Sequence, residues 1–296
     1  MFRTLIVIPL GYILEFIYNF VGNYGLTLVL FTLAIKLVLL PLSLKQQKST
    51  TRMQMVQPKL QAIQKKYEND KQKQSEETMK LYKEYNISPM GGCLPLLIQL
   101  PILFGLYRVI YQPITYMLHR GAEVDGFIAE LGLTKSPQVE IAIAKAKDFI
   151  NFDLWGLDLS ATPQFSKLNW LWLIPIIAGL TTYLSSKITT WVNTGNKDKK
   201  EETKPARVLN PDSKPEANPE NTMKTMTYFM PVMTAWIAFS FPAALGLYWI
   251  ISNVLSAGQT VLLNGYYSKK LKAEFAELEE KKAEEDAKKR QRRKKG

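Results

Sequence analysis

The sequence predicts an all-α membrane protein, with five transmembrane helices that carry a helical hairpin and a basic tail on the cytoplasmic side. Three observations lead there. Mean hydropathy is −0.09 and 47% of residues are hydrophobic, values that an ordinary soluble chain also shows. The residues are nevertheless segregated: 26–35, 94–111, 171–180 and 229–263 are almost free of charge, whereas 44–86, 196–221 and 269–295 are crowded with it. Five segments reach the roughly 20 apolar residues that a bilayer core of about 30 Å requires, and none of the five contains Asp or Glu. Finally, Lys and Arg are concentrated in alternate connecting segments, which orients the chain.

Composition also excludes several chemistries. With one cysteine, Cys93, and one histidine, His119, neither an intrachain disulfide nor a Cys/His zinc cluster can form. Neither a Gly-x-x-x-x-Gly-Lys-Ser/Thr loop nor a Gly-x-Gly-x-x-Gly motif occurs, which argues against an ATPase and a nucleotide-dependent oxidoreductase. A triad would need His119, which has no nucleophile motif beside it. The remaining class works by shape, polarity and charge within a bilayer, without a cofactor or a bound metal.

Residues 1–24 begin Met1-Phe2-Arg3 and continue as an apolar run without a small-x-small cleavage site. Pro9, Glu15 and the polar stripe Gly11, Glu15, Asn19, Gly22 favour an amphipathic helix in the outer interface; an extra span is the alternative. The first span covers 25–43. The 44–91 segment, with ten basic residues, reads as a cytoplasmic helical hairpin: Met53, Val56, Leu60, Ile63 and Tyr67 recur at spacings of three and four. Met79, Tyr82 and Tyr85 form a facing stripe after the Asn69-Asp70 turn, and Pro58 kinks the first helix or starts a new one. The hairpin is either a solvated structural element or a docking arm.

The second span, 92–112, opens at Cys93, placed at a backbone turn. Residues 113–168 carry five basic residues against seven acidic ones and therefore face outward. Here Ser136 caps a short helix over 137–149, with Pro137 in its first turn. A third span follows at 169–191, flanked by Trp170, Trp172 and Trp191. The Pro-rich, charged 192–224 segment reads as a disordered linker. Spans at 225–244 and 246–266 are joined by the tight Phe241-Pro242-Ala243-Ala244-Leu245-Gly246 stretch. The tail 267–296 is helical over 269–287, then ends Lys288-Lys289-Arg290-Gln291-Arg292-Arg293-Lys294-Lys295. That terminus serves as a lipid or topology anchor, or binds ribosomal RNA phosphate. The charge bias puts the N-terminus outside and the C-terminus in the cytoplasm.

Lys36 is the most informative residue. It sits about seven residues from the cytoplasmic end of its span, roughly 10 Å deep, where a lysine costs about 2.5–3.5 kcal/mol on insertion scales. Snorkelling is one account; a hydrated pocket awaiting an anion is the other. Thr32 lies one turn earlier. Gln99 on the second span, and Ser252, Asn253, Ser256 and Gln259 on the fifth, add polar groups that either converge with Lys36 or act as helix-packing glue.

Three stretches carry a resemblance to a known family: Phe31-Thr32-Leu33-Ala34-Ile35-Lys36 with Leu40-Pro41-Leu42; Asn86-Ile87-Ser88-Pro89-Met90-Gly91-Gly92-Cys93-Leu94-Pro95-Leu96-Leu97-Ile98-Gln99-Leu100-Pro101-Ile102; and Phe241-Pro242-Ala243-Ala244-Leu245-Gly246-Leu247-Tyr248-Trp249-Ile250 with Asn253. In this order, over about 12–267, they resemble the YidC family of membrane-protein insertases, of the Gram-positive type without a large external domain. The resemblance implies a five-helix insertase core around a hydrophilic groove open to cytoplasm and lipid. It puts the groove cation at Lys36, an arginine in most relatives, with Thr32, Gln99, Tyr248, Trp249, Asn253 and Gln259 as further groove residues. It implies a non-enzymatic insertase and chaperone of the bacterial plasma membrane. Its partners would be nascent membrane-protein clients and lipid, with the ribosome, the Sec translocon and targeting factors met through hairpin and tail, and without specific DNA binding.

Overall fold

The computed structural model describes residues 1–68, 70–87, 94–164, 169–194 and 219–295. The expectations for Asn69, for Cys93 and for most of the linker lie outside them. The described chain is overwhelmingly helical and divides into two compact units, one formed by Met1–Leu39, Leu97–Thr190 and Asn196–Ala257, the other by Leu40–Leu96, Trp191–Gly195 and Gly258–Gly296.

In the first unit a π-helical turn, Arg3–Val7, runs into α1 (Ile8–Val21). Gly22, at φ +66°, ends α1 in the left-handed conformation that glycine adopts without penalty. Asn23 then caps α2 (Tyr24–Val38) by accepting the Leu26 N–H at 3.1 Å. The helix stops at Leu39, and α3 (Leu40–Met55) starts the second unit. α6 (Leu94–Tyr111) brings its residues from Leu97 onward into the first unit. α7 (Pro113–Tyr116), the 3-10 turn Gly121–Glu123, α8 (Val124–Glu130) and α9 (Val139–Ala146) follow. The short antiparallel strands β1 (Asp153–Leu154) and β2 (Leu157–Asp158) and the 3-10 turn Trp170–Trp172 lead into α10 (Leu173–Thr194). α11 (Pro219–Ala238) and α12 (Ala243–Lys295) complete the chain.

The core of this unit lies between α1, α2, α6 and α7. Leu14, Tyr24, Leu28, Phe31, Leu106, Ile110, Ile114 and Met117 are fully buried there. Gly11 is demanded by packing against backbone: a Cβ there would sit 2.0 Å from the Tyr116 carbonyl oxygen. The loop around β1 and β2 holds the helix ends together. Tyr24 N–H donates to Asn151 O at 2.9 Å, and Asn23 Nδ2 donates to Asp153 O at 2.6 Å. Ala243 and Ala244 N–H donate to Ala161 O and Leu159 O at 2.9 and 3.0 Å, so backbone carbonyls occupy the exposed donors that begin α12.

Several boundaries differ from the sequence reading. The helix expected over 137–149 is Val139–Ala146, preceded by Gln138 rather than capped by Ser136. The Ser136 carbonyl instead accepts the Val139 N–H at 3.1 Å, a turn that keeps Pro137 and Gln138 outside the helix. α10 reaches Thr194 and α11 starts at Pro219, so helix enters both ends of the expected 192–224 linker; the fixed φ of Pro219 suits a first turn.

The second unit contains α3, α4 (Gln57–Lys66), α5 (Lys71–Glu84) and the distal part of α12. Pro58 lies in the first turn of α4, so it starts a segment rather than bending one. Asp70 caps α5 by accepting the Lys73 N–H at 3.0 Å. The buried set is Val56, Leu60, Leu81, Tyr85, Ile87 and Phe275, with Met53, Ile63 and Tyr82 packed against it. Met79, expected in this stripe, is exposed; Leu81 takes its place because the seam must also accommodate Phe275 of α12, which stacks on Tyr85. Arg52 pairs with Glu274, and Lys59 pairs with Glu279 at 2.5 Å and bonds Tyr85. Burial lowers the affinity of Lys59 for its proton, but these two partners outweigh it and the pKa rises.

Among the described residues, Arg3–Val21, Trp170–Trp191 and Ala243–Tyr267 are long and apolar enough to cross a membrane; α2 and α3 add a fourth span if counted together. Of the segments expected to cross, 169–191 and 246–266 fall on two of these helices, and 25–43 is broken at Leu39. Residues 92–112 fall on the 18-residue α6, and the apolar stretch in 225–244 is Tyr228–Ala238.

Glu140 ties α9 to α7. It is 4% exposed, and its carboxylate accepts from Thr115 N–H at 2.8 Å and Thr115 Oγ1 at 2.7 Å. Burial pushes its carboxyl above the usual range, against the opposing pull of the Thr115 hydroxyl and the Thr115 and Ile114 amides. A raised folded-state pKa means that the stability it contributes is complete below the unfolded value, about 4.3, and is lost as pH rises through the folded value. Thermal unfolding in detergent from pH 4 to 7 should therefore show Glu140→Gln flatter than the parent. The difference is bounded by the one-proton slope of about 1.4 kcal/mol per pH unit. Parallel profiles would remove Glu140 as the titrating group.

Candidate functional site

α2 and α12 place the polar residues of the apolar helices. On α12, Tyr248, Ser252 and Ser256 succeed one another at intervals of four, which stacks them along one helical face. Lys36, in the last turn of α2, is half-buried and donates from Nζ to Ser256 Oγ at 2.7 Å. Among the described residues no carboxylate pairs with it. Two turns of α12 away, Gln99 Nε2 of α6 donates to the buried Tyr248 hydroxyl at 2.6 Å. Ser252, also buried, lies between these two contacts on the same face.

Not all the expected residues join this stripe. Thr32 is buried one turn before Lys36, but its hydroxyl donates to Leu28 O at 2.6 Å, inside its own helix. Asn253 lies one position off the stripe, about 100° around the helix. Its Nδ2 donates to Thr182 Oγ1 at 2.8 Å and approaches Thr181 Oγ1 at 3.4 Å, both on α10. That is the helix-packing use of a small polar residue. Trp249 is half-buried one position from Tyr248, and Gln259 falls in the second unit. The sequence reading missed Thr181 and Thr182. Two adjacent threonines in an apolar span were the available signal, but threonine commonly satisfies itself by bonding a preceding carbonyl. Both do so here, at 2.8 and 2.7 Å.

Chemically, the Lys36–Ser256 and Gln99–Tyr248 contacts form a polar seam inside otherwise apolar helices. An ammonium carries three donors, of which Ser256 takes one. The seam therefore offers a point charge, with neutral donors and acceptors beside it. Such an arrangement can attract and release an anionic group.

A sequence model of the 60Kd inner membrane protein family matches residues 16–274. The membrane protein insertase YidC of Syntrophus aciditrophicus is 33% identical over 259 residues, covering 88% of this chain and 36% of that protein. Its counterpart in Nitratidesulfovibrio vulgaris is 34% identical over 256 residues, 86% of this chain and 37% of the relative. The membrane protein insertase YidC 2 of Listeria innocua is 33% identical over 290 residues, 95% of this chain and 79% of the relative. The chain thus spans little more than a third of the first two relatives but most of the third.

Proposed function

Since the chain belongs to the YidC family of membrane protein insertases and has the apolar helices of a multi-pass membrane protein, we propose that it inserts integral membrane proteins and helps them fold. It acts in the bacterial plasma membrane, alone or with the Sec translocon, without a cofactor or a catalytic step.

The observation that carries the mechanism is Lys36 on α2, bonded to Ser256 of α12 at 2.7 Å, with Tyr248 further along the same face of α12 and bonded there by Gln99 of α6. A client's short hydrophilic segment must cross about 30 Å of hydrocarbon. A groove hydrated from the cytoplasm and lined by this seam shortens that path. The ammonium exchanges its bond to Ser256 for acidic residues of the client's leading segment. The client's apolar helix then moves sideways into lipid, and its transfer out of water drives the process. The five-span core, an outer N-terminus and a cytoplasmic C-terminus belong to this proposal, as do ribosome and targeting-factor contacts through the hairpin and tail.

Residues 1–24 fit an interfacial helix better than a sixth span. Arg3 lies over the Tyr116 ring, Gly11 abuts Tyr116 O, Glu15 is 3.1 Å from His119, and the Tyr18 hydroxyl accepts the Asn151 N–H at 2.7 Å. The sixteen residues from Arg3 to Tyr18, roughly 22 Å of helix, therefore run alongside the 113–168 segment. A helix crossing the bilayer would meet an outer loop at one end only.

The test is reconstitution of the purified chain alone in lipid vesicles, offered a single-span client. Protease protection of the client's leading segment should rise severalfold over empty vesicles. Solute flux without client protection would favour a small-solute transporter. Protection only when the secretion channel is also present would reduce the chain to an assembly factor.

A further inference from the structure

The β1–β2 hairpin carries a feature for which insertion has no use. Leu154 pairs with Leu157, so the turn consists of Trp155 and Gly156 alone, at φ +53° and +82°. Positive φ at both central residues marks the type I′ turn, where Asn-Gly or Gly-Gly is preferred. A bulky side chain there is a backbone outlier. Trp155 gains no burial in return: it is 87% exposed, the most exposed aromatic side chain among the described residues.

The hairpin is tied to the helices around it. Leu154 is buried against Gly25, where a Cβ would come within 2.7 Å of Leu154 Cδ2. Asn23 Nδ2 holds Asp153 O at 2.6 Å and Tyr24 N–H holds Asn151 O at 2.9 Å, both at the start of α2. The adjoining residues Leu159 and Ala161 accept the first N–H groups of α12. β2 packs against the 3-10 turn Trp170–Trp172 that opens α10, and Trp170 is 76% exposed. The turn is thus fixed at the level where three apolar helices begin, next to a second exposed tryptophan. Tryptophan is the side chain enriched at that depth of a bilayer, its ring among the headgroups and its N–H still hydrated.

We propose that Trp155 is a lipid-interface anchor: the rigid hairpin inserts its tip into the headgroup layer of the outer leaflet, continuing the belt that Trp170 begins. The partner is lipid, reached by continuity with the span ends, and the proposal is independent of insertase activity. The backbone strain at the turn is tolerated because Asn, the better turn former, would supply no anchor.

The experiment compares tryptophan emission of the full chain in vesicles with that of Trp155→Asn. Asn suits the turn, so the variant should unfold in detergent at the same temperature as the parent or higher. The difference spectrum should be blue-shifted relative to aqueous tryptophan. Lipids brominated near the headgroup should quench it at least twofold more than lipids brominated near the acyl terminus, and iodide should quench it weakly. A nitroxide at Trp155→Cys, in a Cys93→Ser background, should report the same shallow depth, whereas one at exposed Ser136 should report water. A red-shifted difference spectrum quenched freely by iodide would overturn the proposal, as would an unfolded Trp155→Asn chain. Either result would leave the family assignment and the Lys36 site untouched.

Discussion

Lys36→Arg should insert clients with acidic leading segments nearly as well as the parent, whereas Lys36→Ala should lose about tenfold and Lys36→Glu more. The reasoning is electrostatic. At an effective dielectric near 20, unit charges 4 Å apart interact by about 4 kcal/mol. About a third of that, realised in the rate-limiting passage, is a tenfold change. Arginine keeps the charge and can still reach Ser256 Oγ, now 2.7 Å from Lys36 Nζ. Glutamate would repel the segment that the seam is to attract. Ser256→Ala removes a neutral hydroxyl and leaves the Lys36 charge in place, so its effect should stay within about threefold. Lys36→Ala should reach the membrane at parental abundance or above, because removing a cation from an apolar helix lowers the cost of placing it in lipid, and the charge-preserving Lys36→Arg and the neutral Ser256→Ala add no such cost. The measurement is insertion of paired acidic and neutral clients into vesicles at matched protein. If Lys36→Ala treats both clients as the parent does, the charge is not the working element, and Lys36 is a snorkelling lysine.

Gly11→Ala should destabilise the first unit by about 3 kcal/mol, at the upper end of the cost of overpacking. A methyl there would lie 2.0 Å from Tyr116 O and 2.8 Å from Tyr116 C. These are backbone atoms, so no rotamer change relieves the overlap. α1 or α7 must move, and with them the buried contacts of Leu10, Leu14 and Ile114. Gly126→Ala is the matched control: it lies in α8, is exposed, and has no atom within 4 Å of its new methyl. It should gain about 0.5–1 kcal/mol from reduced chain entropy. Thermal unfolding in one detergent should rank Gly126→Ala above the parent and Gly11→Ala well below it. Equal midpoints for Gly11→Ala and the parent would mean that α1 does not pack on α7 in the membrane protein.

How much of the site was legible varies by residue. Lys36 stood out because a cation in a helix otherwise free of charge is costly wherever it points, so hydropathy alone exposes it. Gln99 is legible as a polar group on an apolar span, Tyr248 enters only through the family resemblance, and the structure brings them together at 2.6 Å. Thr32 and Asn253 were placed with them, yet one hydroxyl closes on Leu28 O and one amide on Thr181 and Thr182. A small polar side chain has several partners within reach at nearly equal cost, and sequence cannot choose among them. Met79 and Leu81 show the same indeterminacy in the hairpin. Either could complete an apolar stripe, and the choice depends on Phe275, nearly two hundred residues away in the chain.

By itself, then, the sequence determined that the chain is a helical membrane protein and that the apolar helix α2 carries a single cation. These depend on quantities summed over long segments: the length of an apolar run, the absence of carboxylates, the bias of basic residues between loops. The tertiary structure alone decided that Ser256 receives Lys36, that backbone carbonyls of Leu159 and Ala161 begin α12, that Gly11 must lack a side chain, and that Trp155 sits on a strained turn at the helix ends. Each of these is a contact of a few ångströms between residues remote in the chain. Its free energy depends on orientation rather than composition, so it is settled only when the helices pack.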